Sequence, residues 1–268
     1  MLYASHPTLD GSQAFNKYCG RKEQHAAILG CYANNRIYLF DITDKRLDGI
    51  REVTAAHEML HAVYVRLSEG ERNRLGELLE KEYQRLSADD EYRDRMAFYE
   101  RTQPGERQNE LHSIIGTEMR DIDPALESHY KKYFADRHKV VTLHDGYSKV
   151  FREYKTKSDD LKAQIDASKS QLERQTNEYA ATYERLDADI ERFQQRAGER
   201  DGFASQNEFA AARRALESRI TAANTLRTSV IATEKRVNEL ISEYNSTIEW
   251  SQDLYKSLDS TLAPAPTV

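Results

Sequence analysis

The spacing of apolar residues predicts an amphipathic helix in the first third of the chain. Across residues 49–67, apolar side chains recur every three or four positions, which is the period of a helix with one buried face. The stripe consists of Val53, Ala56, Leu60, Val63 and Leu67. We expect Asp48 to cap the start of this helix, and Ser68 and Glu71 to form a capping box that begins the next one.

Two short runs rich in β-forming residues precede this helix. They cover residues 27–32 and 36–42 and are separated by Ala33, Asn34 and Asn35. Asparagine tolerates the left-handed backbone conformation that tight turns need. The sequence therefore predicts a β-hairpin.

After about residue 143 the pattern changes to a heptad repeat in a charged sequence with almost no glycine or proline. Phe151, Ile165, Leu172, Tyr179, Leu186 and Phe193 share one heptad position with Ser158, and Tyr154, Leu161, Tyr183 and Ile190 lie beside them. Residues 197–203 break the first arm, and Ser205 and Glu208 form a capping box for the second. In the second arm Leu216, Ala223, Val230, Val237 and Tyr244 share one position, with Ile220 and Leu240 beside them.

Each arm has about fifty residues and would span roughly 75–80 Å as a helix. Matched arms around one break favour an antiparallel helical hairpin over residues 144–262, followed by a flexible tail at 263–268. The alternative is pairing between two chains in a dimer.

Composition limits the classes of function. With 268 residues, the chain can hold one or two domains. Its net charge of −6 argues against nonspecific binding to nucleic acid. No apolar run approaches the roughly 18 residues that a membrane span needs, and the first residues lack the basic start and apolar core of a signal peptide.

The two cysteines, Cys19 and Cys31, lack the spacing of a metal-binding or redox motif. We favour a disulfide that closes a small loop, and hence an extracytoplasmic protein that is secreted or anchored through a segment absent from this chain. The alternative is two buried thiols in a cytoplasmic protein.

The segment His57-Glu58-Met59-Leu60-His61 lies on the predicted helix. Residues four apart share a helix face, so the two imidazoles can bind one metal ion, with Tyr64 on the same side. Glu58 follows the first histidine and is placed to act as a base. This is the layout of a zinc-dependent peptidase, although the alternative is two ordinary histidines on a partly buried helix.

A catalytic zinc site needs a third protein ligand, and residues 108–118 are the best source of one. Acidic side chains among Leu111, Ile114 and Ile115 are costly to bury without a charged partner. We favour Glu110 as the ligand. Glu118 is held in reserve, either as the ligand or as a residue that orients one. The alternative is that both are solvated surface acids.

With these motifs, the chain resembles the zincin metallopeptidases over roughly residues 25–120, and specifically the gluzincins, which combine HExxH with a glutamate on a later helix. In several gluzincin families that glutamate is followed three residues later by alanine and then aspartate. Here Ser113 and Ile114 follow Glu110, so the small residue is kept and the aspartate is missing. The third histidine of metzincins is absent after His61.

The resemblance implies that His57, His61 and Glu110 bind Zn²⁺, which polarises the scissile carbonyl, and that Glu58 is the general base. It also implies an electrophilic helper, for which Tyr130, Tyr133, His129 and His112 are candidates. Zincins pair an extended substrate with a strand beside the metal helix, and Tyr38–Ile42 is the candidate edge. Alternatively, the hairpin only covers the helix.

The expected fold class is α+β, mostly α. A zincin-like domain with a small β-hairpin covers residues 1–143, and a coiled-coil hairpin follows. Two functions remain open. The first is a zinc metallopeptidase that acts on a peptide or protein substrate, with the coiled coil as a spacer, docking arm or substrate-gating arm. The second is a non-catalytic interaction or scaffold protein with a structural or degenerate metal site, whose partner binds the coiled coil.

Overall fold

The computed structural model describes residues 1–20, 27–86, 90–102 and 104–262. They form an α+β protein that is mostly helical and has one three-stranded sheet. The first of two compact units contains Met1–Tyr154 together with Trp250–Val268, and the second contains Lys155–Glu249. The tail predicted at 263–268 lies outside the described residues.

The strands are β1 (Thr8–Asp10), β2 (Gly30–Ala33) and β3 (Arg36–Phe40), and short 3-10 helices cover Tyr3–Ser5 and Lys45–Leu47. The α-helices are α1 (Ser12–Tyr18), α2 (Ile50–Tyr64), α3 (Glu69–Leu86), α4 (Asp90–Thr102), α5 (Arg107–Glu118), α6 (Pro124–Tyr130), α7 (Arg137–Gly198) and α8 (Gln206–Leu258). The boundary expected at residue 143 falls inside α7. None of the described helices has the length and apolarity needed to cross a membrane.

The predicted hairpin is confirmed. Strands β2 and β3 are antiparallel, and Asn34 and Asn35 join them with φ values of 52° and 60°. Positive φ at both positions defines a type I′ turn, which suits the twist of a two-residue hairpin.

The substrate edge expected at Tyr38–Ile42 is wrong. Strand β1 pairs in parallel with β3, so β3 is the central strand and its backbone groups are occupied on both sides. Among the described residues, the sheet edges belong to β1 and β2. Strand β1 has only three residues, which is too short for a visible alternation of apolar and polar positions.

Helix α2 buries the predicted stripe except Leu67, which lies three residues beyond the end of the helix and is half-buried. Leu60 is fully buried, and Val53, Ala56 and Val63 are at most 8% exposed. Asp48 is not its cap, because the helix begins one residue later, after Gly49. Gly49 has a φ of 91°, a conformation that glycine adopts easily, and this bend places Asp48 outside the first turn.

The capping box before α3 is confirmed. The Ser68 backbone N–H donates to Glu71 Oε2 at 2.9 Å, and the Glu71 backbone N–H donates to Ser68 Oγ at 3.4 Å. This reciprocal pair caps the start of α3. Only four residues separate α3 from the end of α2.

Helices α2 and α5 pack closely across the core. A Cβ atom added to Gly116 would lie 2.4 Å from Leu60 Cδ1 and 2.7 Å from Tyr130 Cε1. The buried side chains around this crossing include Leu60, Leu111, Ile114, Ile115 and Tyr130. Gly116 therefore permits a backbone approach that brings the acidic helix against the histidine helix.

The end of α8 returns to the first unit. Leu254 and Leu258 pack in a cluster with Phe15 and Phe40, and Ser260 Oγ donates to Asn16 Oδ1 at 2.6 Å. The first unit is therefore built from two separate parts of the chain.

A disulfide joins Cys19 and Cys31, with 5.8 Å between their Cα atoms. It links the end of α1 to β2 and confirms the pairing favoured over two free thiols. An extracytoplasmic location remains a prediction.

Replacing Cys19 and Cys31 with serine should lower the free energy of unfolding by about 3 kcal/mol, since the cross-link restricts the unfolded chain. Urea denaturation of the oxidised parent and the double variant measures this difference. The reduced parent should unfold like the variant. Identical midpoints for oxidised parent and variant would contradict the prediction.

Within the second unit, α7 and α8 form an antiparallel hairpin of one chain. Lys157 Nζ lies 3.1 Å from Glu243 Oε1, and further along α7 the Gln175 amide donates to Ser229 Oγ at 2.8 Å. Contacts therefore move back along α8 as they advance along α7, so the two helices run antiparallel, in the predicted direction.

The heptad positions lie mostly in this seam, where Leu161, Ile165 and Leu240 form a buried cluster. Two residues that were predicted to lie beside the heptad position are outside the seam. Tyr183 is 55% exposed and Ile220 is 37% exposed. These positions lie at the edge of the heptad stripe, where a two-helix hairpin has no further helix to cover them. At the break, Ser205 Oγ accepts from the Glu208 N–H at 3.2 Å, as the capping box predicted.

Candidate metal site

The two histidines of the HExxH segment lie one turn apart on α2. Their ring centroids are 4.7 Å apart, and their side chains are 17% and 13% exposed for His57 and His61 respectively. The helix therefore presents both imidazoles to one partly open space, as the four-residue spacing predicted.

Glu110 of α5 faces both histidines. Its Oε2 lies 3.7 Å from His57 Nε2, and its Oε1 lies 3.8 Å from His61 Nε2. One ligand atom from each of the three residues lies within 4.8 Å of the others, a grouping found nowhere else among the described residues. The three residues selected from the sequence therefore meet.

This donor set fits a divalent metal ion. Tetrahedral zinc binds nitrogen and oxygen at about 2.0–2.2 Å, which places its ligand atoms ~3.3–3.6 Å apart. The observed separations are close to that range. Glu110 is only 2% exposed, and a carboxylate buried at such a position needs positive charge nearby.

The other ring nitrogen of His61 is held by α5. His61 Nδ1 lies 2.9 Å from Asn109 Oδ1 and 3.2 Å from Ser113 Oγ. A partner at Nδ1 fixes the ring so that Nε2 points at Glu110. Sequence reasoning treated Ser113 only as a small packing residue and missed Asn109, although both lie within one turn of the ligand.

Glu58 lies beside this group and is 7% exposed. Burial raises the pKa of its carboxyl group, although His61 and His57 act in the opposite direction. The backbone of Tyr32, on β2, also acts to lower this pKa. A Cβ atom on Gly30 would lie 2.9 Å from Glu58 Cγ, so the strand passes directly over this side chain.

The acidic side chains around His57 favour a positive charge on its imidazole. Burial lowers the pKa of this imidazole, but Glu110 and Glu58 outweigh burial and hold the pKa above its ordinary value. A bound metal ion would give these carboxylates the positive charge that a proton on His57 otherwise supplies.

Glu118 is not part of the group of three. Its Oε2 lies 3.4 Å from Nε2 of His144, on α7. The sequence offered Glu118 as a second candidate ligand but did not point to His144. No pattern within either segment predicts that the start of α7 lies beside the end of α5.

Two of the four candidate helpers are enclosed in the core. His112 and Tyr130 are both 0% exposed, and the Tyr130 hydroxyl donates to the His112 carbonyl at 2.8 Å. A side chain without access to the cleft cannot contact a substrate, so these two residues are structural. His129 and Tyr133 are half-buried.

Acid should destabilise the protein through His129, whose Nε2 lies 3.0 Å from Nε2 of His112. Burial, then the charge of Lys132, lowers the pKa of His129 to about 4. Because the folded pKa lies below the unfolded value near 6.5, stability present above pH 6.5 is lost as the pH falls toward 4. We expect a loss of about 1–2 kcal/mol, because solvent reaches part of the ring.

Denaturation of the parent and His129→Gln at pH 7.5 and pH 4.5 measures this loss, which should be smaller in the variant. Replacing the exposed His138 with glutamine should leave the loss unchanged. The same loss in all three proteins would assign it to other groups.

Comparisons of the chain with protein-family models, with curated proteins and with solved structures find no match. A functional assignment therefore depends on the geometry of the site.

Proposed function

We propose that this protein is a zinc-dependent peptidase in which His57, His61 and Glu110 bind the metal. The observation that supports this most is the convergence of two imidazoles and one buried carboxylate from two helices. Zinc in such a site acts as a Lewis acid on the scissile carbonyl and lowers the pKa of water.

Glu58 is the general base in this proposal. It follows the first ligand on α2 and lies against β2, outside the group of three. A carboxyl group whose pKa burial has raised is suited to accept a proton near neutral pH and pass it to the leaving amine. A purely structural metal site has no need for this residue.

The edge of β2 is the proposed binding surface for peptide substrate. In the observed register, Cys31 and Ala33 direct their backbone groups toward β3, so Gly30 and Tyr32 direct theirs to the opposite side, where Glu58 lies. No other strand pairs with this edge in the part of the chain that the structure describes. An extended peptide added here would run past Glu58.

The second unit acts as a spacer or docking arm in this proposal, because its exposed faces are rich in charged side chains. The disulfide supports an extracytoplasmic location.

Metal analysis tests the proposal first. Elemental mass spectrometry of the purified full chain after incubation with Zn²⁺ should find about one zinc ion per chain, and His61→Ala and Glu110→Ala should lose it. Glu52→Gln, on the exposed side of the same helix, is the matched control and should bind zinc like the parent.

The same proteins are then assayed on an unstructured protein substrate, with cleavage followed by peptide mass spectrometry. The parent should cleave, and chelation should stop the reaction. A parent without zinc contradicts the whole proposal, whereas a parent with zinc and no cleavage contradicts only the peptidase function.

A further inference from the structure

The contacts between α2 and α5 show that the two helices run in opposite directions. Tyr64 donates to Gln108 at 3.2 Å, His61 meets Asn109, and Gly116 lies against Leu60. Positions later on α5 therefore face positions earlier on α2. The end of α5 is thus directed toward the turn that carries His57.

Glu118, the last residue of α5, lies at this end. It comes eight residues after Glu110, so the two side chains leave the helix only about 80° apart. The Glu118 side chain is 10% exposed, and its charge acts on His57. The carboxylate is therefore placed on the His57 side of the metal site.

His144, on α7, lies beside Glu118. Its Nε2 lies 3.4 Å from Glu118 Oε2 and 3.0 Å from Ser148 Oγ, and its side chain is 16% exposed. Tyr147 packs against the ring in an edge-to-face contact at 5.3 Å between centroids. These contacts give the imidazole one orientation.

This pair is not needed to hold the end of α5 against α7. Arg120, two residues after α5, already bonds to α7 through Asp145 at 2.9 Å and Thr142 at 3.1 Å. Removing Glu118 and His144 from water is unfavourable for both groups, and a role at the neighbouring metal site accounts for their placement.

We propose that Glu118 and His144 are positioning residues of the metal site: His144 fixes the Glu118 carboxylate beside His57, and the carboxylate strengthens His57 as a ligand. A carboxylate near a metal-binding imidazole orients the ring and increases its affinity for the ion, and losing such a partner typically weakens binding 10- to 100-fold. This inference depends on the proposed metal site but not on peptide hydrolysis.

Competition with a fluorescent zinc chelator, using the full chain, tests the inference. Glu118→Gln keeps the shape of the side chain and removes its charge, and His144→Asn removes the imidazole. Each should bind zinc about 10- to 100-fold more weakly than the parent and should alter the visible spectrum of the Co²⁺-substituted protein. Glu118→Asp, which keeps the carboxylate, should recover part of the affinity.

Two controls separate this role from a structural one. Arg120→Gln removes the neighbouring ion pair between the segment that follows α5 and α7, and His138→Asn removes an exposed histidine of α7. Both should bind zinc like the parent, and thermal unfolding of all metal-free variants reports on folding. If His144→Asn fails to fold, Glu118→Gln and Glu118→Asp decide the question.

Parent-like zinc affinity in Glu118→Gln overturns the inference, and so does an equal loss in Arg120→Gln. A parent that binds zinc without cleaving peptides contradicts the proposed function but leaves this comparison intact. A parent that binds no zinc contradicts both.

Discussion

Replacing Glu58 with glutamine should lower kcat for peptide cleavage by about 10²- to 10⁴-fold, the contribution expected of a general base. Glutamine has nearly the same shape as glutamate. It cannot accept a proton from the attacking nucleophile or deliver one to the leaving amine. Because Glu58 lies outside the group of three metal-binding residues, the variant should retain zinc.

Zinc content and cleavage rate are measured on the same samples of Glu58→Gln, at substrate concentrations well above KM. Glu52→Gln makes the same chemical change on the exposed side of α2 and should leave both quantities unchanged. Equal turnover by Glu58→Gln and the parent would rule out Glu58 as the base. Loss of zinc together with activity would indicate that Glu58 supports metal binding instead.

Gly116→Val should lower the free energy of unfolding by about 1–3 kcal/mol, the typical range for a side chain forced into a packed core. A Cβ atom there would lie 2.4 Å from Leu60 Cδ1, and the ring of Tyr130 blocks another direction. The helices must separate to admit the side chain. Since Glu110 is on α5 and His57 is on α2, zinc binding should weaken as well.

Gly146→Val is the matched control, because Gly146 is also helical but no atom lies within 4 Å of the position its Cβ would take. There the better helix propensity of valine should leave stability unchanged or slightly increased. Urea denaturation of both variants and the parent, in chelator and then in excess Zn²⁺, measures both effects. Parent-like stability of Gly116→Val would show that the crossing of α2 and α5 tolerates a larger separation.

The sequence alone determined the features that depend on neighbours along the chain. A period of 3.6 residues defined α2, and the asparagine pair defined the hairpin turn. The four-residue spacing placed His57 and His61 on one face. Glu110 was identified because an acid within an apolar helix needs a charged partner, which is a local property of the sequence. The heptad repeat defined the two arms for the same reason.

Only the tertiary structure decided the features that depend on segments far apart in sequence. Strand β1 pairs with β3, so the edge that a peptide could pair with is on β2 rather than on β3. A strand of three residues carries too little pattern to predict such a pairing. His144 reaches Glu118 from another helix, and Ser260 returns to Asn16 across almost the whole chain. Contacts of this kind depend on how distant segments pack together. The periodicity within one segment does not predict which other segment it will contact.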